Sequence, residues 1–415
     1  MSRGMIFYGA GQNAKDNILQ WIEEGYNPVC FVDADITKHY TKFVLNESRE
    51  LDIIPLEDAL KKYPDSDLYI TLKRKSLKSV TEYLLEAGIE KERIKYFEEV
   101  EYRLGCDALG KNYLMEEHRI GTCYVPGYRQ VGISATDNPK EDFIRYNDYF
   151  ISGILGKWKN DDANICSGCK NLRYDIFDKQ PVLEKITLGG IQGEDFCNAR
   201  CFYCCNYPRP TLKTMEKRKN DVIEIFSTLA GELLNHEIEV DISVGDISVA
   251  PFRKELCDII KENNWKACIR TNAAVYSEEI AELLKRENTY TLITLDSTVS
   301  EIYAKCKGID CLPRVMDNIR RYAAVGEVWL KWIVLDGMYK KFDEVKGILD
   351  FAKEIGAKVF LSCDTWKIDT GLSEQMLEIT LSFIEYAKQE NIDLIILKDH
   401  FTEKDYECLV NETDL

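Results

Sequence analysis

Three cysteines stand close enough to act together: Cys197, Cys201 and Cys204, in the run Asp195-Phe196-Cys197-Asn198-Ala199-Arg200-Cys201-Phe202-Tyr203-Cys204. Thiolates are the standard ligands of iron–sulfur clusters. Three of them at C-x3-C-x2-C spacing can wrap one corner of a cubane. The fourth iron then stays open to chelate the amino and carboxylate groups of a small molecule. A zinc knuckle, or three unrelated thiols, is the alternative. A second pair, Cys166-Ser167-Gly168-Cys169, also has metal-type spacing. An auxiliary iron–sulfur cluster or a structural zinc there needs about four ligands, and Cys123 and Cys205 are the weak additions. A reduced CxxC without metal, or a redox pair, competes with that reading.

The third chemical feature is Gly9-Ala10-Gly11-Gln12-Asn13-Ala14. Gly9-x-Gly11-x-x-Ala14 follows the apolar run Met5–Tyr8 and opens a helix-like stretch to about Glu24. Asp33 ends the next strand-like run, about 20 residues on, as the dinucleotide fingerprint requires. Small residues let a phosphate approach the helix N-terminus, and Asp33 could hold a ribose hydroxyl. A ligand-free tight turn in a docking domain is the bland alternative.

These residues need elements to hold them. Residues 1–105 alternate strand and helix signals: Met5–Tyr8, Pro28–Asp33 and Leu68–Leu72 read as strands and Ser79–Ala87 as a helix. That alternation predicts a small parallel sheet of Rossmann-like type. Residues 106–182 are less regular and read as a bridge carrying the CxxC. From 183 the alternation strengthens. Lys185–Leu188, Ile238–Val244, Lys266–Arg270, Thr291–Asp296, Val328–Leu335 and Lys358–Ser362 predict strands, with Leu394–Leu397 as a further one. Asn220–Leu234, Pro251–Asn263, Ser277–Arg286, Arg314–Ala324 and Phe342–Ile355 predict the helices between them. The expected fold is α/β, a Rossmann-like domain followed by a partial (β/α)6 TIM-type barrel over 183–415.

The three-cysteine run, with the aromatic Tyr203 before its last cysteine, resembles the radical S-adenosylmethionine (radical SAM) superfamily over about residues 183–400. The resemblance implies a [4Fe–4S] cluster and S-adenosylmethionine bound at the open iron. It implies cleavage to a 5′-deoxyadenosyl radical, which abstracts hydrogen from a substrate. It also implies a reductant such as flavodoxin or ferredoxin. Ser243-Val244-Gly245-Asp246 stands where the family has a Gly-Gly-Glu-type turn for the methionine amino group, with Val244 and Asp246 as departures. Thr271 and Asn272 match its ribose-facing strand end. Asp296, Ser297 and Lys331 fall at the next strand ends, where a β/α barrel binds ligands. The alternative is that these residues only start loops and cap helices. The front segment resembles Rossmann-like domains of surface-sugar enzymes, which favours a nucleotide-linked sugar or related small metabolite as substrate. A peptide substrate is the first alternative, and a non-catalytic iron–sulfur redox or regulatory protein the second.

Composition narrows the partners. The 415 residues carry 54 Lys and Arg against 71 Asp and Glu, a formal charge of −17. That argues against nucleic acid and anionic membrane surfaces as default partners. No run reaches the ~18 apolar residues of a membrane span, and the start is not signal-like. A cytoplasmic location is expected, with the 15 cysteines reduced. Cys30, Cys257 and Cys268, in apolar runs, read as core residues. The four histidines, His39, His118, His236 and His400, form no hydrolytic zinc pattern.

Overall fold

The computed structural model describes residues 4–46, 49–116, 119–123, 131–136, 138–169, 171–188, 197–204, 212–233, 237–242, 245–364 and 370–411. They fall into two compact units, 1–107 with 154–181 and 108–153 with 182–415. The segment read as a bridge is thus shared between them. No helix among the described residues is long and apolar enough to cross a membrane.

In the first unit, β1 (Met5–Tyr8), β2 (Pro28–Val32), β3 (Thr41–Asn46), β4 (Arg49–Ile54), β5 (Asp67–Ile70) and β6 (Ile94–Tyr96) form one sheet in the order β3-β4-β2-β1-β5-β6. Only β3 runs antiparallel. Helices α1 (Gln12–Glu23), α2 (Leu56–Lys62) and α3 (Arg74–Glu86) link the strands. The reading placed the α3 start at Ser79. Arg74 and Lys75 open this helix, where the dipole favours acids, so its first turn carries no start signal. A further strand, β7 (Val100–Gly105), pairs with a distant one, residues 173–178. Apolar residues on both sheet faces are buried, Ile6, Val32 and Leu68 on one and Phe7, Phe31 and Trp21 on the other.

The second unit begins with β8 (Asn112–Glu116), β9 (Arg119–Gly121), β10 (Gly132–Ser134) and α4 (Pro139–Tyr146). Next in the chain come α5 (Leu155–Trp158) and β11 (Arg173–Asp178), which belong to the first unit. The series then runs β12 (Lys185–Leu188), α6 (Leu212–Glu232), β13 (Glu239–Ile242), α7 (Arg253–Glu262), β14 (Lys266–Thr271), α8 (Glu278–Leu284), β15 (Thr289–Thr294), α9 (Ser300–Lys307), α10 (Leu312–Ala323), β16 (Glu327–Val334), α11 (Asp343–Ile355), β17 (Lys358–Cys363), α12 (Glu374–Gln389), β18 (Leu394–Ile396) and α13 (Glu403–Asn411). Strands β12 to β18 are parallel and adjacent in chain order, and β8 extends the parallel run on the other side. The ten-strand order, β10-β9-β8-β12 through β18, is open among the described residues. Six βα units precede β18, as the rhythm of the sequence predicts.

Parallel sheets are usually buried on both faces. Here one face is dry and the other is not. Ile186, Val240, Ile269, Ile293, Leu330, Trp332 and Leu361 are at most 1% exposed. The alternate residues Lys185, Thr187, Glu239, Arg270, Tyr290, Trp329, Lys331 and Phe360 are half-buried. That second face is mixed: Asp241, Cys268, Leu292 and Ser362 on it are buried, and the charged and aromatic residues beside them keep partial exposure.

Candidate functional site

Cys197, Cys201 and Cys204 lie on the loop after β12, and all three are half-buried. The loop is tied to its surroundings at both ends. Asn272, at the C-terminal end of β14, donates from Nδ2 to Asn198 Oδ1 at 2.7 Å and comes within 3.8 Å of Cys197 Sγ. The Cys204 amide donates to the Cys201 carbonyl at 3.2 Å, closing a turn around Tyr203. The Arg200 amide donates to the Lys307 carbonyl at 2.6 Å.

Tyr203 points inward. Its hydroxyl lies 3.0 and 2.9 Å from the two carboxylate oxygens of Asp296, at the end of β15. Lys307, the last residue of α9, donates to Tyr203 Oη at 2.9 Å and pairs with Asp296 Oδ2 at 3.1 Å. Burial pushes the Tyr203 hydroxyl far above its usual range, and the charges of Asp296 and Cys201 add to that. Burial works against the Lys307 ammonium, but Asp296 and then Cys201 outweigh it and hold the proton on. Sequence reading missed Lys307. A lysine beside a glycine at a helix end looks like an ordinary dipole-complementing C-terminus, and its partner is 104 residues away.

The other strand-end residues are largely engaged with one another. Asp246 is fully buried. Its carboxylate accepts from the Ser248 amide at 2.9 Å, the Thr271 hydroxyl at 2.8 Å and the Asn272 amide at 3.1 Å. Oδ1 takes the first two and Oδ2 the third, so the buried carboxylate is tied to the loops and Oδ2 keeps one further accepting position. Gly245 has φ +51, which lets the chain turn into that network. Thr271 Oγ1 also accepts from the Ala273 amide. Ser297 donates to the Glu344 carbonyl at 2.6 Å and accepts from the Val299 amide. The sequence had these residues facing a ligand; the structure places Asp246, Thr271 and Ser297 in loop capping, Asn272 at the cysteine loop, and Asp296 under Tyr203.

Lower on the open face, Arg270 donates twice to Asp241, both at 2.8 Å, and Lys185 reaches Asp241 and Glu239 at 3.0 Å. Burial would raise the Asp241 carboxyl, but Arg270 and Lys185 pull it down to about 2. Tyr290, Trp329 and Phe360 stack across three neighbouring strands, with centroids 3.9 and 4.9 Å apart. His400 shares a hydrogen bond of 2.8 Å with Ser362 Oγ. Burial, then the charges of Lys331 and Arg270, push its imidazole down to about 4.

In the first unit, Gly9 has φ +110, and a Cβ there would meet Thr71 Oγ1 at 2.7 Å, so this position requires glycine. Gly11 caps α1, and a Cβ there would meet nothing within 4 Å. Ala14 is fully buried against the sheet. Asp33 is already engaged: Oδ2 accepts from the Ala10 amide at 2.7 Å and from Lys38 Nζ at 2.9 Å. A ribose hydroxyl there would have to compete with both. Cys166 and Cys169 lie in one turn, with the Cys169 amide donating to the Cys166 carbonyl at 3.0 Å. Among the described residues no three His, Cys, Asp or Glu side chains converge on a single metal ion. For a single ion such as zinc, the described residues thus offer no three-ligand group around Cys166 and Cys169; Cys205 lies outside the described residues, as do His118, His236, Ser243 and Val244.

The core loop fits a cubane on different grounds. A cubane presents each thiolate to its own iron, so its ligands need not crowd one point. Three half-buried, reduced thiols on one short loop are the right donors.

The Radical SAM superfamily profile matches residues 194–352. No curated protein matches the chain. Among solved structures, the chain is similar to Streptococcus suis SuiB bound to S-adenosylmethionine, at 11% identity and TM-score 0.37, over 68% of this chain and 69% of that one. Native anSMEcpe with bound AdoMet matches at 14% and 0.36, over 51% and 63%. TYW1 with a lysine–pyruvate adduct matches at 15% and 0.34, over 50% and 73%. The profile covers the cysteine loop and the strand ends that surround it: residues 194–352 form a Radical SAM superfamily domain, a family that implies a [4Fe–4S] cluster and S-adenosylmethionine.

Proposed function

We propose that Cys197, Cys201 and Cys204 hold the [4Fe–4S] cluster, and that the substrate, a nucleotide-linked sugar or related small metabolite, lies against the open face of the large sheet. The observation that carries the first part is the tie between the cysteine loop and the end of β14, with Asn272 Nδ2 within 3.8 Å of Cys197 Sγ. When bound, the cluster and S-adenosylmethionine supply a one-electron cleavage that yields a 5′-deoxyadenosyl radical.

The chain's own residues do the rest. Asn272 aligns the first cysteine. Tyr203, Asp296 and Lys307 fix the stretch between the other two. On the open face, stacked Tyr290, Trp329 and Phe360 offer an apolar platform. Arg270 and Lys185 keep donors beyond their bonds to Asp241 and Glu239, and with Lys331 they suit a polar substrate. The open backbone at Gly11 supports a phosphate-bearing ligand for the first unit. Anaerobically reconstituted, dithionite-reduced protein should form 5′-deoxyadenosine and methionine from S-adenosylmethionine, measured by mass spectrometry. A loaded, reduced protein that forms none, with or without nucleotide-sugars, would return the reading to a non-catalytic iron–sulfur protein.

A further inference from the structure

Lys307 is a charge with no evident structural need to be buried. Its side chain is 3% exposed and that of Asp296 0%. Taking such a pair out of water costs more than the attraction returns unless every remaining donor and acceptor is satisfied, and apolar residues of like volume often do as well. Here the Tyr203 hydroxyl joins the pair, 2.9 Å from Lys307 Nζ and 2.9–3.0 Å from Asp296. The triad sits at the cysteine loop. Tyr203 lies between Cys201 and Cys204, and the Lys307 carbonyl holds the amide of Arg200, next to Cys201. The next residue, Gly308, has φ +65, and a Cβ there would stand 2.7 Å from the Arg200 carbonyl oxygen. The end of α9 is thus pressed against the loop by backbone as well as side chain.

We propose that Lys307 and Asp296 are positioning residues that set the electron affinity of the cluster, Lys307 by holding a permanent positive charge beside Cys201 and Asp296 by fixing and moderating it. The inference rests on Cys201 being a cluster ligand. One-electron reduction adds negative charge to the cluster and its thiolates. In a dry interior a fixed ammonium favours that charge and a fixed carboxylate opposes it. Removing each must therefore shift the reduction equilibrium in opposite directions. Mere disturbance of the loop carries no such sign.

The test is a redox titration of anaerobically reconstituted full-length protein, followed by electron paramagnetic resonance with iron content measured alongside. Lys307→Met should move the midpoint to more negative potential and Asp296→Asn to more positive. At fixed potential the ratio of reduced to oxidised cluster should change about tenfold in each direction. Lys307→Arg should restore the wild-type midpoint. The double variant, whose Asn still accepts from Tyr203, should lie on the negative side, because Lys307 is the member of the pair also bonded to the loop backbone next to Cys201. Shifts of one sign in both single variants, or none, overturn the proposal. If the single variants lose iron, the double variant decides. A wild-type midpoint overturns tuning, and so does failure to take up iron, which would make the pair a structural requirement only. Wild-type protein that takes up no cluster would instead defeat the ligand assignment beneath it.

Discussion

At the scale of residues, the strand ends work by satisfying one another before they meet any ligand. Asp246 collects three donors on one buried carboxylate. Asp246→Ala leaves two amides and a hydroxyl without their acceptor, and should cost about 3 kcal/mol. Urea denaturation measures it, and Asp246→Asn should recover part, since one side-chain oxygen remains. His400 gives a pH-dependent counterpart. Its imidazole ordinarily titrates near 6.5 and here is pushed down to about 4 by burial, then Lys331 and Arg270. Between those values the unfolded chain binds the extra proton and the folded chain does not, so stability falls as pH drops from 6.5 toward 4. His400→Gln should remove about 2 kcal/mol of that fall, read as the difference between the two proteins' stability–pH curves. An identical slope in the variant would mean that His400 does not carry it. The sequence made the three cysteines legible because their partners are local. Lys307 was not legible, because its burial depends on Tyr203 and Asp296 folding over it from other elements.

At the scale of elements, α9 is a clamp as much as a crossover. Gly308→Ala places a methyl group against the Arg200 carbonyl at a left-handed φ, and should cost about 1–3 kcal/mol. The thermal midpoint should fall, and iron retention on dilution should fall with it. A thermal midpoint equal to wild type would mean that the loop simply moves aside. The strand rhythm of the second unit was readable because its buried face is almost unbroken Ile, Val and Leu. The starts of α3 and α6 were not, since each opens on basic residues such as Arg74 and Lys213, against the dipole preference that usually marks a helix start. Strands β8 to β11 hid in a stretch rich in Tyr, Asn and Gly. Their apolar runs are too short to show alternation, and β11 is defined by pairing across a long sequence gap with β7.

At the scale of the whole molecule, the two units predict different losses. The first unit includes β11 from residues 173–178, so a fragment ending at residue 105 would expose the β7 edge. Ligand binding is therefore best tested in the full chain. Gly11→Val should abolish saturable binding of a nucleotide-sugar or NAD seen by calorimetry, while leaving the cluster absorbance of the second unit unchanged. No binding by the wild type to any of these ligands would make the first unit a docking domain and remove the main support for a nucleotide-linked substrate. The central claim is the identity of the cluster ligands, and one measurement addresses it most directly: iron content and charge-transfer absorbance of anaerobically reconstituted wild type beside the Cys197→Ala, Cys201→Ala, Cys204→Ala triple variant. The account predicts about four irons per chain in the wild type and loss of that cluster in the variant. Unchanged iron and absorbance in a folded triple variant would contradict it.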